Sequence, residues 1–278
     1  MSTTPPTPAP IPLARPDGSL PPDDEALAAR THVVLVGVGG ATCSGKTTLA
    51  KHLRDILPDS FIIHQDDFAP PQATLPIHPA LGVEDWDSAP TALDWPRLRA
   101  YLRTVKTSAR IPHDHSSHDH LNVQVPVPVE SAIKERWRTR FQEVQKDTER
   151  AHGVRVVWAL VDGFLLYWDK AVVDLLDAML FLRVPHDTLR QRREERSGYA
   201  TAEGTFWRDP PGYWDQLVYP AYVDAHRALF EDGNIETGVP TLPGLKLFEP
   251  LRMRMDDVVE RSCEVIERAL RASFSGEV

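Results

Sequence analysis

The run Gly40-Ala41-Thr42-Cys43-Ser44-Gly45-Lys46-Thr47 satisfies the pattern G-x-x-x-x-G-K-[ST], and no other stretch of the chain restricts its folding so tightly. A loop of this kind wraps backbone N–H groups around a phosphate, which requires a buried strand ahead of it and a helix N-terminus behind it. Both flanks comply. His32-Val33-Val34-Leu35-Val36-Gly37-Val38 is apolar, β-branched and uncharged, as a strand covered on both faces should be. Beyond the loop, Leu49, Leu53, Ile56 and Leu57 recur at helical spacing until Pro58 ends the pattern. The expectation is a nucleoside triphosphate site in which Lys46 reaches the β- and γ-phosphates and Thr47 ligates Mg²⁺.

Further strands are predicted at Ser60–His64, 154–161, 178–184 and 245–248. Helical spacing marks Leu98, Tyr101, Leu102 and Val105, then Ile133, Trp137, Phe141 and Val144. Strands alternating with helices, without hairpin signals between them, predict an α/β fold with a parallel sheet of about five strands and helices on both faces. Residues 1–30 carry eight prolines before residue 23 and few large apolar side chains, so they are expected to form a disordered tail ahead of one domain over 31–278. In a chain of 278 residues with a formal charge of −9, a nucleic-acid surface is disfavoured and a small-molecule partner is expected. The two cysteines, Cys43 in the loop and Cys263 in a predicted terminal helix, suggest no disulfide framework. With no signal-like or membrane-length apolar run, a cytoplasmic protein is expected, either a monomer or a weak homo-oligomer.

Ligands of such sheets sit at the carboxyl ends of the strands. That rule brings Asp66, Asp67 and Asp162 toward the phosphate loop, because each follows a predicted strand. Asp66 and Asp67 are candidates to take or orient the proton of an acceptor hydroxyl, or else caps of a turn. Asp162 stands where a carboxylate could hold Mg²⁺ through a water, or else cap a helix. Arg190, Arg192, Arg193 and Arg196 could stabilise a migrating phosphoryl group from a mobile lid, but the interleaved Glu194 and Glu195 also allow a solvated, self-paired face. Asp85-Trp86-Asp87 sets an aromatic ring between two carboxylates, a packing anchor or a site for a cationic aromatic ligand. His113-Asp114-His115-Ser116-Ser117-His118-Asp119-His120 lacks cysteines and a rigid scaffold, so a polar surface loop is expected rather than a metal site.

The phosphate loop, Gln65-Asp66-Asp67-Phe68, Trp86-Asp87, Val161-Asp162-Gly163-Phe164-Leu165-Leu166, Arg192-Arg193 with Arg196, and Asp209-Pro210-Pro211-Gly212-Tyr213 together resemble the nicotinamide riboside kinases. These belong to the wider group of P-loop nucleoside kinases that includes uridine kinases, and the resemblance covers roughly residues 32–235. It implies a P-loop kinase-like fold with a mobile lid over 186–212. ATP would be cradled by Gly40, Ala41, Thr42, Cys43, Ser44, Gly45, Lys46, Thr47, Thr48 and Arg192. Asp66 would act as base toward the ribose 5′-hydroxyl, with Asp67 beside it. Trp86 would stack on the nicotinamide ring and Asp87 would accept from the ribose diol. Arg192 and Arg196 would close over the phosphates, Arg196 and Asp209 would approach the substrate, and Thr47 with Asp162 would hold Mg²⁺. Relatives often carry glutamate where this chain has Asp162, which favours a water-bridged metal contact. The long 106–153 segment, the N-terminal tail and a lid extended around 199–207 depart from the compact family pattern. A uridine kinase-like or other small-molecule kinase is the alternative of the same class, and a catalytically inactive nucleotide-binding regulator is the alternative of another.

Overall fold

The computed structural model describes residues 30–112, 115–122, 124–196, 198–200 and 206–275. Nearly all of the expected disordered tail lies outside the described residues, as do His113, Asp114 and residues 201–205 of the lid extension. Seven strands occur among the described residues: β1 (Thr31–Gly40), β2 (Ser60–His64), β3 (Arg155–Gly163), β4 (Ala178–Leu182), β5 (Tyr199–Ala200), β6 (Phe206–Trp207) and β7 (Leu245–Phe248). β5 and β6 form a small antiparallel ladder, and the other five make one parallel sheet in the order β2-β3-β1-β4-β7. The expected five-stranded α/β architecture is therefore observed.

Period-2 alternation divides the core into two layers. Val34, Val36 and Val38 of β1, Val156, Trp158 and Leu160 of β3, and Leu180 and Leu182 of β4 face one side. Helices α1 (Lys46–Ile56), α3 (Ser131–His152) and α6 (Met255–Ser275) cover that side through Leu49, Leu53, Phe141, Val144, Val259 and Ile266. Trp158, with no exposed surface, meets Phe141 edge-on at 5.2 Å between ring centres. Truncating an aromatic in such a place costs about 3–5 kcal/mol. The intervening residues Val33, Leu35, Val157, Ala159, Val161 and Phe181 face the other layer. That layer is closed by α2 (Trp95–Ser108) and by Tyr213 to Phe230, a stretch that includes α5 (Tyr219–His226). The remaining long helix before it, α4 (His186–Glu195), leads into the lid region.

β4 stops at Leu182, two residues short of its expected end, whereas β1 and β3 each run two residues past theirs for one reason. β1 and β3 stay paired through Val38↔Asp162 and Gly39↔Gly163, so both strands run on into their functional motifs. Asp162 is thus the penultimate residue of β3 rather than the first residue after it. Its row in the sheet also contains His64 of β2 and Val38 of β1, so register alone brings two polar side chains beside the start of the phosphate loop.

Candidate active site

The phosphate loop begins where β1 ends. A Cβ at Gly40, where φ is +141°, would lie 2.5 Å from the Leu182 carbonyl oxygen, so only glycine lets β1 pass β4 at this point. The chain then turns through left-handed conformations at Cys43 (φ 62°) and Gly45 (φ 96°). No side chain caps the N-terminus of α1 at Gly45. Its first N–H groups are thus left without a side-chain cap from Gly45, which suits an anion-binding end. Lys46, the first residue of α1, lines that cleft with Thr42 and Thr47.

The floor of the cleft is a short 3₁₀ turn, Gln65–Phe68, directly after β2. Gln65 is fully buried, and its Oε1 accepts a 2.9 Å hydrogen bond from the Leu165 N–H, tying the end of β2 to the segment after β3. A Cβ at Gly163 would approach that same oxygen to 2.4 Å, which explains the glycine after Asp162. The Asp66 carboxylate opens onto the cleft and is reached by solvent, yet it sits deep between protein walls. Desolvation there raises its pKa, opposed by the Lys46 charge and reinforced by Asp162. Asp162 is buried, and desolvation alone would raise it. A 3.1 Å contact of its Oδ2 with His64 Nδ1, together with the Lys46 charge, holds it below the usual carboxylate range. Its other oxygen, Oδ1, is buried without a hydrogen-bond partner among the described residues. Asp67 lines the cleft too, but its Oδ1 accepts from the His118 backbone N–H at 3.0 Å, and His115 Nε2 lies 3.5 Å from its Oδ2.

The mouth is built from distant segments. Asp85 folds the Asp-Trp-Asp turn by accepting from the N–H groups of Asp87 and Ser88 at 3.0 and 2.9 Å. The turn leaves Trp86 on the cleft wall and Asp87 buried behind it. Tyr213, itself fully buried, donates its hydroxyl to Asp87 Oδ2 at 3.2 Å. Burial pushes the Asp87 carboxyl up to about 6, opposed by Arg193 and reinforced by Asp209. Trp207 faces Trp86 with 6.1 Å between ring centres, and its Nε1 donates to Asp209 Oδ1 at 2.9 Å. Asp209 also takes a two-point contact from Arg193 at 2.6 and 2.9 Å, and Arg193 reaches on to Thr42 Oγ1 at 3.2 Å. Asp209 therefore braces Arg193 and Trp207 rather than lining the cleft itself.

The four arginines separate by helical geometry. Leu189, Arg192, Arg193 and Arg196 fall at i, i+3, i+4 and i+7, one inward stripe. Arg192 donates to the Cys43 carbonyl at 3.1 Å, and Arg196 lines the cleft. Arg190 points outward and pairs with Glu194 and Asp215. The spacing from Leu189 was the available signal for Arg193, one of the four candidate arginines but not among those expected to contact ATP or the substrate. His64, His118, Asp119, Asn122, Gln124, Phe164 and Trp207 also line the cleft without having been selected. The stretch expected as a polar surface loop thus contributes to the cleft. Among the described residues, no group of three or more His, Cys, Asp or Glu side chains is arranged to hold a metal ion, and no helix is long and apolar enough to cross a membrane.

No protein-family model matches the chain. Curated relatives do. A nicotinamide riboside kinase of Schizosaccharomyces pombe is 34% identical over 240 residues, covering 86% of this chain and 98% of the relative. A nicotinamide riboside kinase of Eremothecium gossypii is 32% identical over 73% of this chain and 80% of its own length. One of Saccharomyces cerevisiae is 29% identical over 73% and 82%.

Proposed function

Because the chain belongs to the nicotinamide riboside kinase family, we propose that it transfers the γ-phosphoryl group of ATP to the 5′-hydroxyl of nicotinamide riboside, giving nicotinamide mononucleotide for NAD salvage. The observation that carries this reading is one cleft holding Lys46 and Thr47 at one end, Asp66 on its floor, and Trp86 with Asp87 at its mouth.

Each end has its own task. The open N-terminus of α1 and Lys46 hold the phosphates. Asp66 orients the 5′-hydroxyl and takes its proton as the oxygen attacks phosphorus, a role suited by a carboxyl whose affinity for a proton is already raised. Lid arginines Arg192 and Arg196 balance charge on the moving phosphoryl group. At the mouth the substrate is a pyridinium cation, so the face of Trp86 and the charge of Asp87 both attract it. Thr47 and Asp162 would hold Mg²⁺. The orphaned, buried Asp162 Oδ1 beside the Lys46 charge fits a hard cation or its water. The ion would neutralise phosphate charge. Asp67 holds the cleft wall through His118, and Asp209 holds Arg193.

Initial rates of ATP consumption with Mg²⁺, measured with nicotinamide riboside, uridine or no acceptor, test the reading, with Lys46→Ala as control. Turnover on nicotinamide riboside well above the other two is expected, and Trp86→Ala should weaken that substrate more than a neutral nucleoside. Preference for uridine would keep the mechanism and refute the pyridinium pocket. Nucleotide binding with no acceptor-dependent turnover would indicate a regulator instead.

A further inference from the structure

Residues 115–122 and 124–130, between α2 and α3, cross the catalytic cleft as a strap, held at three points that belong to three different parts of the site. At the floor, the Asp67 carboxylate binds the His118 N–H at 3.0 Å. On α1, Lys51 pairs with Asp119 at 2.6 Å, five residues beyond the phosphate-binding Lys46. At the lid, Asn122 Oδ1 accepts a 3.2 Å hydrogen bond from Arg196 Nη2. His118, Asp119, Asn122 and Gln124 then share one cleft with Lys46, Asp66 and Asp162. Farther along, the Val127 carbonyl contacts His52 Nε2 at 2.8 Å, so the strap follows α1 until Glu130, whose N–H is held by Asp256 at 2.9 Å.

The two ends of this arrangement differ in firmness. Asp67 and Asp119 attach the strap to elements that pack directly on the sheet. Arg196 stands at the C-terminal end of α4, where the regular helix has stopped and the lid begins. A long, flexible arginine there gains a defined direction only from a partner fixed to the body of the enzyme. Asn122 is such a partner. Its amide oxygen accepts from the guanidinium and so fixes the direction of that N–H.

We propose that Asn122 is a positioning residue that latches the lid arginine Arg196 to the strap, aiming it at the transferring phosphoryl group. This rests on the reading of Arg196 as a charge-stabilising group in the kinase reaction. The strap is thereby a working part of the catalytic centre in this chain. The contact joins a guanidinium to an amide and touches neither substrate, so it affects the rate of transfer more than the binding of either substrate.

The test is steady-state kinetics of Asn122→Ala, Asn122→Leu, Asn122→Asp, Arg196→Ala and the double variant Asn122→Ala/Arg196→Ala, each checked by thermal unfolding. Asn122→Leu keeps the volume and removes the acceptor, which covers the case in which the alanine variant fails to fold. The expected result is a fall in kcat of about tenfold or more for Asn122→Ala and Asn122→Leu, with KM for both substrates within about twofold. Asn122→Asp should keep most of the rate, and the double variant should be no slower than Arg196→Ala alone. If Arg196→Ala is slow while Asn122→Leu turns over normally, the latch is refuted and the role of Arg196 stands. Additive losses in the double variant, or an aspartate variant as slow as alanine, also refute the latch. If Arg196→Ala itself turns over normally, the reading of Arg196 fails and the latch falls with it.

Discussion

The two ends of the cleft are assembled in opposite ways. At the phosphate end, a continuous run from Gly40 to Thr47 supplies the backbone curve, the lysine and the hydroxyl, all fixed by the junction of β1 with α1. At the mouth, the groups come from Asp85–Asp87, the strap, α4, Trp207 to Asp209 and Tyr213, joined by ion pairs and hydrogen bonds across more than a hundred residues of sequence. The first end is set by local conformation and needs few partners. The second depends on mutual support, so its parts should fail together.

Substitutions at the two ends should therefore differ in kind. The largest effect is expected at the phosphate end. Lys46→Ala should lower kcat by about a thousandfold or more, because the cation fixed at the start of α1 is lost from the phosphates, while the melting temperature stays near that of the parent. A variant that kept a tenth of the activity would erase the contrast. Next comes Arg193→Met. It leaves Asp209, and the partly shielded Asp87, without their cation, so a loss of about 3 kcal/mol in unfolding free energy is expected together with a higher KM for the nucleoside. Denaturant unfolding beside kinetics would show whether stability and recognition fall together at the mouth.

A smaller effect follows from acidity. The Asp87 carboxyl titrates at about 6, so it is protonated below that value and ionised above it. A cationic ligand favours the ionised form. Affinity for nicotinamide riboside should then rise about tenfold between pH 5 and pH 7 and level off above, since a tenfold change in ionised fraction carries through to binding. Tryptophan fluorescence titrations report this binding without turnover, and Asp87→Asn should flatten the curve. A slope that survives in that variant would assign the titration elsewhere. The smallest effect is expected at Arg190, on the outer side of the same helix. Its exposed pairs with Glu194 and Asp215 are worth little, so Arg190→Ala should leave both the melting temperature and turnover unchanged.

The same division explains what the sequence revealed. Asp66 and Asp67 stood out because they follow β2 directly, and β1, the phosphate loop, α1 and β2 were legible because each rests on periodicity or local backbone geometry. So were the helix around Phe141 and the terminal helix carrying Cys263. The extension of β3 through Asp162 was not, because it depends on pairing with β1 rather than on residue type. Residues 115–122 have no helical or strand period, and their place in the cleft depends on partners in other parts of the chain, among them Asp67, Lys51 and Arg196. Arg193 lay between these cases. Its spacing from Leu189 marked it as inward, but its partner Asp209 lies beyond the helix and across the lid.

Gln65 gives the molecule a fixed jig. Its amide joins the ends of β2 and β3, and the absent side chain at Gly163 lets the two meet. Asp66 and Asp162 flank that joint and are carried as one rigid pair. The mouth can consequently exchange residues, and with them the choice of acceptor, without re-aiming the tool that performs the transfer.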